Sequence, residues 1–218
     1  MGTCVLLPSL NEAGSIAGLV RRIRKTSPGY GVYVVDSGST DGTQDIARRD
    51  GARVITLREK GKARAVRKAF AEIDADRIVL LDSDGSYAPE DIPALLKALG
   101  DCPVAVGNRF GGKMRAGAMG AVHAFGNRLL TLLANILYGK RIGDVCSGFW
   151  AFRRDAYKNI RINSDHFELE ANFYVECARK RIDICEVPVS YGKRRGKSKL
   201  GIFDGFGIGT YLIKERFC

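Results

Sequence analysis

Residues 77–91 read RIVLLDSDGSYAPED, and this stretch decides the fold. Ile78, Val79, Leu80 and Leu81 form a short uninterrupted apolar run, the pattern of a strand buried on both faces. The run stops at Asp82-Ser83-Asp84, so a strand delivers two acids to its carboxyl end. In open α/β sheets ligands bind at that end, and two carboxylates two residues apart beside a glycine turn suit a hard divalent cation that shares phosphate oxygens. Taken alone, the same residues also fit an Asp-rich turn that caps the helix begun by Pro89.

The pattern of a strand followed by a polar turn recurs on both sides. Upstream, Cys4 to Leu7 runs into Pro8-Ser9-Leu10-Asn11-Glu12 and then a helix with apolar residues at Ile16, Leu19, Val20 and Ile23. Val32 to Val35 runs into Asp36-Ser37-Gly38-Ser39-Thr40-Asp41-Gly42-Thr43, small and acidic residues that turn tightly, cap a helix and hydrogen-bond ligands. Arg53 to Thr56 is a third strand, and Gly61-Lys62-Ala63-Arg64 opens a helix with two cations near the same edge. Downstream, a helix reaches about Leu99, and Val104 to Val106 ends in Gly107-Asn108-Arg109-Phe110. Asp144 to Trp150 is a second polar turn leading into a strand, followed by a helix from Glu168 to Lys180, a strand from Ile184 to Val189 and a basic loop, Lys193 to Lys199. Alternating strands and helices predict an α/β fold. The expected architecture is a Rossmann-like, doubly wound, mostly parallel sheet with helices on both faces, in one domain over 1–218.

Composition narrows the partners. The 218 residues are 45% apolar and 27% charged, which marks a globular chain with a sizeable core. Six cysteines without a C-x-x-C pair predict neither a zinc site nor a disulfide framework, so all six are expected reduced. The chain opens directly on a strand, without the pattern of a signal peptide, and no apolar run is long enough to span a bilayer. A net charge of +11 calls for an anionic partner: nucleic acid, an anionic membrane surface or phosphorylated substrates. No nucleic-acid reader motif is present, so nucleic acid is not expected. Residues 118–138, AMGAVHAFGNRLLTLLANILY, are the most apolar stretch; with His123, Asn127 and Arg128 inside it, it reads as a core helix or as a helix lying in a membrane interface, and the aromatic, Gly-interrupted segment 202–217 is a second candidate for such an interface helix.

In order along the chain, PSLNE, VVDSGSTDGT, LLDSDGSYAPEDI, GNRF, the Asp144 turn and GKSKL resemble the family 2 glycosyltransferases of the GT-A fold. The likeness is to dolichyl-phosphate mannose and hexose synthases, and in detail to archaeal-type polyprenyl-phosphate hexosyltransferases. The resemblance implies a nucleotide-diphosphate sugar, UDP- or GDP-linked, held by Pro8, Leu10, Glu12, Val35, Asp36 and Ser37, with Asp82 and Ser83 also touching it. It implies Mg²⁺ or Mn²⁺ on Asp82 and Asp84, with Ser86 assisting. Arg109, Arg194 and Lys199 would grip phosphates, and Asp144 would orient the acceptor or cap a turn. The implied acceptor is dolichyl or polyprenyl phosphate, and the implied location is peripheral, on the cytoplasmic face of a membrane, with room for a membrane-anchor subunit. Two readings stand beside it: transfer to a sugar hydroxyl, which needs a base such as Asp144, and a non-catalytic basic binding module.

Overall fold

The computed structural model describes residues 2–164, 168–195 and 202–217. Among them, strands β1 (Thr3–Ser9), β2 (Gly31–Asp36), β3 (Arg53–Thr56), β4 (Arg77–Leu81), β5 (Val104–Asn108), β6 (Phe149–Arg153) and β7 (Ile184–Pro188) form one sheet in the order β3-β2-β1-β4-β6-β5-β7. Strand β6 runs antiparallel to both β4 and β5, while the remaining pairs are parallel. The mostly parallel, doubly wound sheet expected from the alternation is therefore present. Because β1 lies between β2 and β4, the loops leaving these three strands meet over one edge of the sheet, at the switch point where α/β folds bind ligands.

The strand runs are continuously apolar because both sheet faces are covered. Leu6, Ile78, Leu80, Trp150 and Phe152 face one core, which also holds residues of helices α3 (Lys62–Glu72), α6 (Arg154–Asn159) and α7 (Leu169–Arg179). Their neighbours Val5, Leu7, Val79, Leu81, Phe149 and Ala151 face the other, beneath α1 (Ala13–Thr26), α2 (Thr43–Arg49) and α4 (Ile92–Ala98). This alternation is the period of two that sends successive side chains to opposite faces. Phe70, Trp150, Phe152, Tyr157 and Phe173 form a knot of edge-on, tilted and stacked rings in the first core.

Two expectations are corrected. Cys102 and Cys185 are bonded, with Cα atoms 5.7 Å apart, and tie β7 to the segment entering β5. The reading of six free thiols rested on spacing, and spacing cannot show that parallel pairing brings residues 83 apart together. A link of that span removes about 4–5 kcal/mol of unfolded-chain entropy in the loop-closure picture. The second concerns helix α5 (Ala121–Tyr138), read as either a core or an interface helix, which meets the core along one face only. Leu130, Leu133 and Leu137 rest on the core, but Phe125 and Ile136 are 70% and 71% exposed, and Val122, Leu129 and Leu132 share their outer face. Helix α8 (Ile202–Phe217) packs beside α5 and adds exposed Phe206, Ile213 and Phe217.

Candidate active site

Two loops over the sheet edge are stitched together before any ligand is considered. The backbone N–H groups of Asn11, Glu12 and Ala13 donate to Ser39 Oγ (2.8 Å), Thr43 Oγ1 (2.9 Å) and Asp41 Oδ2 (3.0 Å), and Thr40 N–H donates back to Asn11 Oδ1 (2.9 Å). The unpaired donors that open α1 are thus satisfied from the other loop. Burial raises the pKa of Asp41, but hydrogen bonds from Thr43 and Ala13 outweigh it and hold the carboxyl below its ordinary range.

The loop after β4 is locked from both sides. Ser83 Oγ donates to Pro8 O (2.6 Å), and Ser15 Oγ donates to Ser83 O (2.8 Å). Gly85 turns the chain at φ +77°, where a side chain would be strained. Gly148 lies so close to Asp82 that an added Cβ would stand 2.1 Å from Oδ2, so only glycine admits the carboxylate there.

These loops enclose a cavity of about 370 Å³ whose walls include Pro8, Leu10, Glu12, Ser37, Asp82, Ser83, Asp84, Arg109 and Arg194, together with Lys62, Cys146, Glu170 and Tyr191. A wider hollow of about 790 Å³ lies at the opposite end of the strands, but Arg153 and Lys158 in its wall are committed to backbone carbonyls of Leu99, Gly100 and Phe70.

Within the smaller cavity the acids meet cations. Lys62 Nζ stands 2.5 Å from Asp82 Oδ1 and 2.5 Å from Glu170 Oε1. Asp84 Oδ2 pairs with Arg194 Nε at 2.7 Å, and its Oδ1 accepts from Ser86 N–H (2.8 Å) and Ser86 Oγ (2.6 Å). Burial alone would depress Lys62, but Asp82 and Glu170 raise its pKa and keep it charged. Asp82 is nonetheless shifted upward, by burial first and then by Asp84 and Glu170, against the pull of Lys62. Like charges on Asp84 and Glu170 therefore crowd Asp82 even with Lys62 beside it.

The paired carboxylates of the crevice wall set the test of fit for a metal ion. Among the described residues no group of three or more His, Cys, Asp and Glu is placed to hold one. An all-protein cage is therefore absent from that part of the chain. Asp82 and Asp84, two residues apart in the crevice wall, instead fit Mg²⁺ or Mn²⁺ that would take its remaining ligands from water and phosphate oxygens.

Several expected residues lie elsewhere or are already engaged. The Val35 side chain is in the core, and Asp36 is buried behind the cavity. Asp36 accepts from Gly38 N–H, Ser39 N–H, Ser39 Oγ and Gln44 Nε2, so it shapes the turn that presents Ser37 and has no wall position of its own. Ser86 likewise spends its hydroxyl on Asp84. Asp144 is fully buried and grips Arg109 through two bonds, Nε–Oδ2 at 2.6 Å and Nη2–Oδ1 at 2.7 Å, while Arg109 N–H also donates to Oδ2 (3.2 Å). Asp144 therefore positions Arg109, whose guanidinium also lies 5.3 Å over the Tyr191 ring. Lys199 falls outside the described residues.

The segment carrying Arg194 is fastened over the acid loop. Gly192 N–H donates to Ser86 O (2.7 Å), Arg195 N–H to Asp84 O (3.0 Å) and Ser190 N–H to Asp91 Oδ2 (2.6 Å). Sequence reading placed Lys62 near this edge, but missed Glu170 and Tyr191, which have no motif around them and arrive through the packing of α7 and the path beyond β7.

A doubly wound sheet with a paired-acid crevice at its switch point is the GT-A glycosyltransferase arrangement. Residues 4–161 match the model of Glycosyl transferase family 2, and the chain belongs to that family. It is 36% identical to glycosyltransferase AglJ of Haloferax volcanii, over 98% of this chain and 70% of the relative. It is 31% identical to the dolichyl-phosphate hexose transferase of the same organism, over 96% and 92%, and 31% identical to the dolichol-phosphate mannosyltransferase of Pyrococcus furiosus, over 92% and 59%. Among solved structures, glucosyl-3-phosphoglycerate synthase of Mycobacterium tuberculosis shares the fold with a TM-score of 0.76 at 24% identity, over 99% of this chain and 78% of that one. The same enzyme has been crystallised with Mn²⁺ and uridine diphosphate.

Proposed function

We propose that the protein transfers a hexose or N-acetylhexosamine from a UDP- or GDP-sugar to dolichyl or another polyprenyl phosphate, with Mg²⁺ or Mn²⁺ and with inversion at the anomeric carbon. The observation that carries this reading is the pairing, in one small fold, of an acid-lined crevice at the sheet switch point with an exposed apolar face on α5 and α8. The crevice suits a charged donor, and the apolar face suits a lipid acceptor lying at a membrane interface. The names of the Haloferax and Pyrococcus relatives support the lipid phosphate.

The chemistry follows from charge. Breaking the bond between sugar and diphosphate leaves positive character on the sugar and added negative charge on the nucleotide. Asp82 and Asp84 would hold the divalent ion, whose positive charge would stabilise the diphosphate leaving group. Arg194 and Lys62 lie beside those acids and supply further positive charge, while Pro8, Leu10, Glu12 and Ser37 form the wall for the nucleoside. Arg109, fixed by Asp144 and Tyr191, and Lys199 complete the proposed phosphate contacts. An ionised phosphate attacks without a general base. That favours the lipid phosphate over a sugar hydroxyl, because the Asp144 carboxylate is fully engaged with Arg109.

No helix among the described residues is long and apolar enough to cross a membrane. We place the protein on the cytoplasmic face, held by the outer face of α5 and α8 and by its charge of +11 toward anionic lipid. The test is a transfer assay with dolichyl or undecaprenyl phosphate and labelled UDP-glucose, UDP-N-acetylglucosamine and GDP-mannose, with and without chelator. A single metal-dependent lipid-linked product is expected. Donor binding with no product on any lipid phosphate would overturn the acceptor assignment.

A further inference from the structure

Tyr87 lies in the loop after β4, yet it has no position in the cavity wall. Packing accounts for its ring, which is buried in the second core edge-on to Phe149 (5.5 Å) and Tyr191 (5.0 Å). Packing does not account for its hydroxyl, because phenylalanine would fill the same space without taking a polar group out of water. Gly148 N–H donates to Tyr87 Oη (2.7 Å), and Oη lies 3.3 Å from Ser147 Oγ. The phenol thus accepts from Gly148 and keeps its own proton for Ser147. On the opposite face of the sheet, Trp150 Nε1 donates to Ser147 O (2.6 Å). One aromatic residue from each core therefore clamps the turn before β6.

That turn is the backing of Asp82. A Cβ on Gly148 would stand 2.1 Å from Asp82 Oδ2, 2.5 Å from its Cγ and 2.7 Å from Oδ1, so the whole carboxylate rests against this stretch of backbone. Lys62 Nζ holds Oδ1 at 2.5 Å. The direction in which Asp82 points is thus set by an ammonium and by a backbone that the Tyr87 hydroxyl fastens.

We propose that the Tyr87 hydroxyl is a positioning group for the metal end of the crevice, acting through the Gly148 backbone to fix the Asp82 carboxylate. The proposal rests on the reading that Asp82 and Asp84 hold a divalent ion, and adds what aims one of them. Tyr87→Phe isolates the hydroxyl, since the ring that packs on Tyr191, and through it beneath Arg109, is retained. The full chain would be titrated with Mn²⁺ at fixed UDP or GDP, whichever binds, with free Mn²⁺ read by electron paramagnetic resonance. Tyr87→Phe should weaken Mn²⁺ binding about 10- to 100-fold, the range for removing a group that orients a metal ligand. Excess Mn²⁺ should restore nucleotide affinity to the wild-type value, which a general loosening of the crevice would not allow. Gly148→Ala, which pushes Asp82 aside with Tyr87 intact, should weaken Mn²⁺ by a similar factor. Because both act through one contact, the double variant should lose much less than the product of the two.

Wild-type Mn²⁺ affinity in either single variant would overturn the proposal. So would a loss of nucleotide affinity that excess Mn²⁺ does not repair, or full additivity in the double variant. Failure of wild type to bind Mn²⁺ with either nucleotide would remove the metal reading itself, and the proposal with it. Should Tyr87→Phe melt too low to titrate, Gly148→Ala still decides whether this backbone governs Asp82.

Discussion

The crevice and the α5–α8 face treat their side chains in opposite ways. In the crevice almost every charge already has a protein partner: Asp84 with Arg194, Asp82 with Lys62, Asp144 with Arg109. On the helical face, large side chains stand in solvent without cover; Phe125, Ile136 and Phe217 are 70%, 71% and 77% exposed. Charges left unpaired inside a protein are costly, so a charged site must be organised before its ligand arrives. Exposed apolar groups cost less individually, and a surface meant for lipid can wait uncovered until it meets one. A ligand of the crevice would therefore replace existing partners, whereas a lipid surface at the face, as proposed, would supply missing ones.

The strongest test of that contrast is Asp84→Ala. Removing one carboxylate of the pair should lower transfer on the order of 10³-fold, the scale for losing one group that meets developing charge. Binding to vesicles should be unaffected, as measured by sedimentation. Equal loss of both would merge the two regions into one functional unit. A smaller effect is expected from replacing Phe125, Leu132 and Ile136 together by serine. At roughly 1 kcal/mol for each side chain partly withdrawn from the lipid boundary, affinity for vesicles containing anionic lipid should drop about 100-fold. Nucleotide binding measured by calorimetry should stay at the wild-type value.

The mildest expected change comes from Asp41→Ala, which unfastens the loop after β1 from the loop after β2. Loss of this cap should cost about 1 kcal/mol of stability, read from chemical denaturation at neutral pH. The sign with pH is fixed by the direction of the shift. Because the folded pKa of Asp41 lies below its ordinary value, its contribution is present above that ordinary value and disappears as pH falls through the folded one. Wild type and variant should therefore converge in stability in strong acid. A gap that persists there would assign the effect to packing rather than to the carboxylate.

The sheet was legible because its cues are local. Runs such as Ile78 to Leu81 need only their own composition to announce a strand covered on both faces, and the acids that follow are placed at its carboxyl end by chain order alone. The family resemblance pointed to Pro8, Leu10, Glu12, Ser37, Asp82 and Asp84, all of which line the cavity. It did not show that Asp36 bonds within its own turn, because a motif shows which residues lie near a site, not which way each carboxylate bonds. Four hydrogen bonds within its own turn and from Gln44 occupy it.

What the amino-acid order determined by itself was the alternation of strands and helices, the acid pair at the end of β4 and the basic, partly apolar character of the surface. Tertiary structure alone decided the partners. Lys62 meets Glu170 across 108 residues, Arg109 meets Asp144 across 35, and Cys102 meets Cys185 across 83. It also decided that α5 turns Phe125 and Ile136 outward instead of into the core. The reason is physical: periodicity fixes which residues share a face, but the value of a charge or an apolar face depends on what the rest of the chain packs against it.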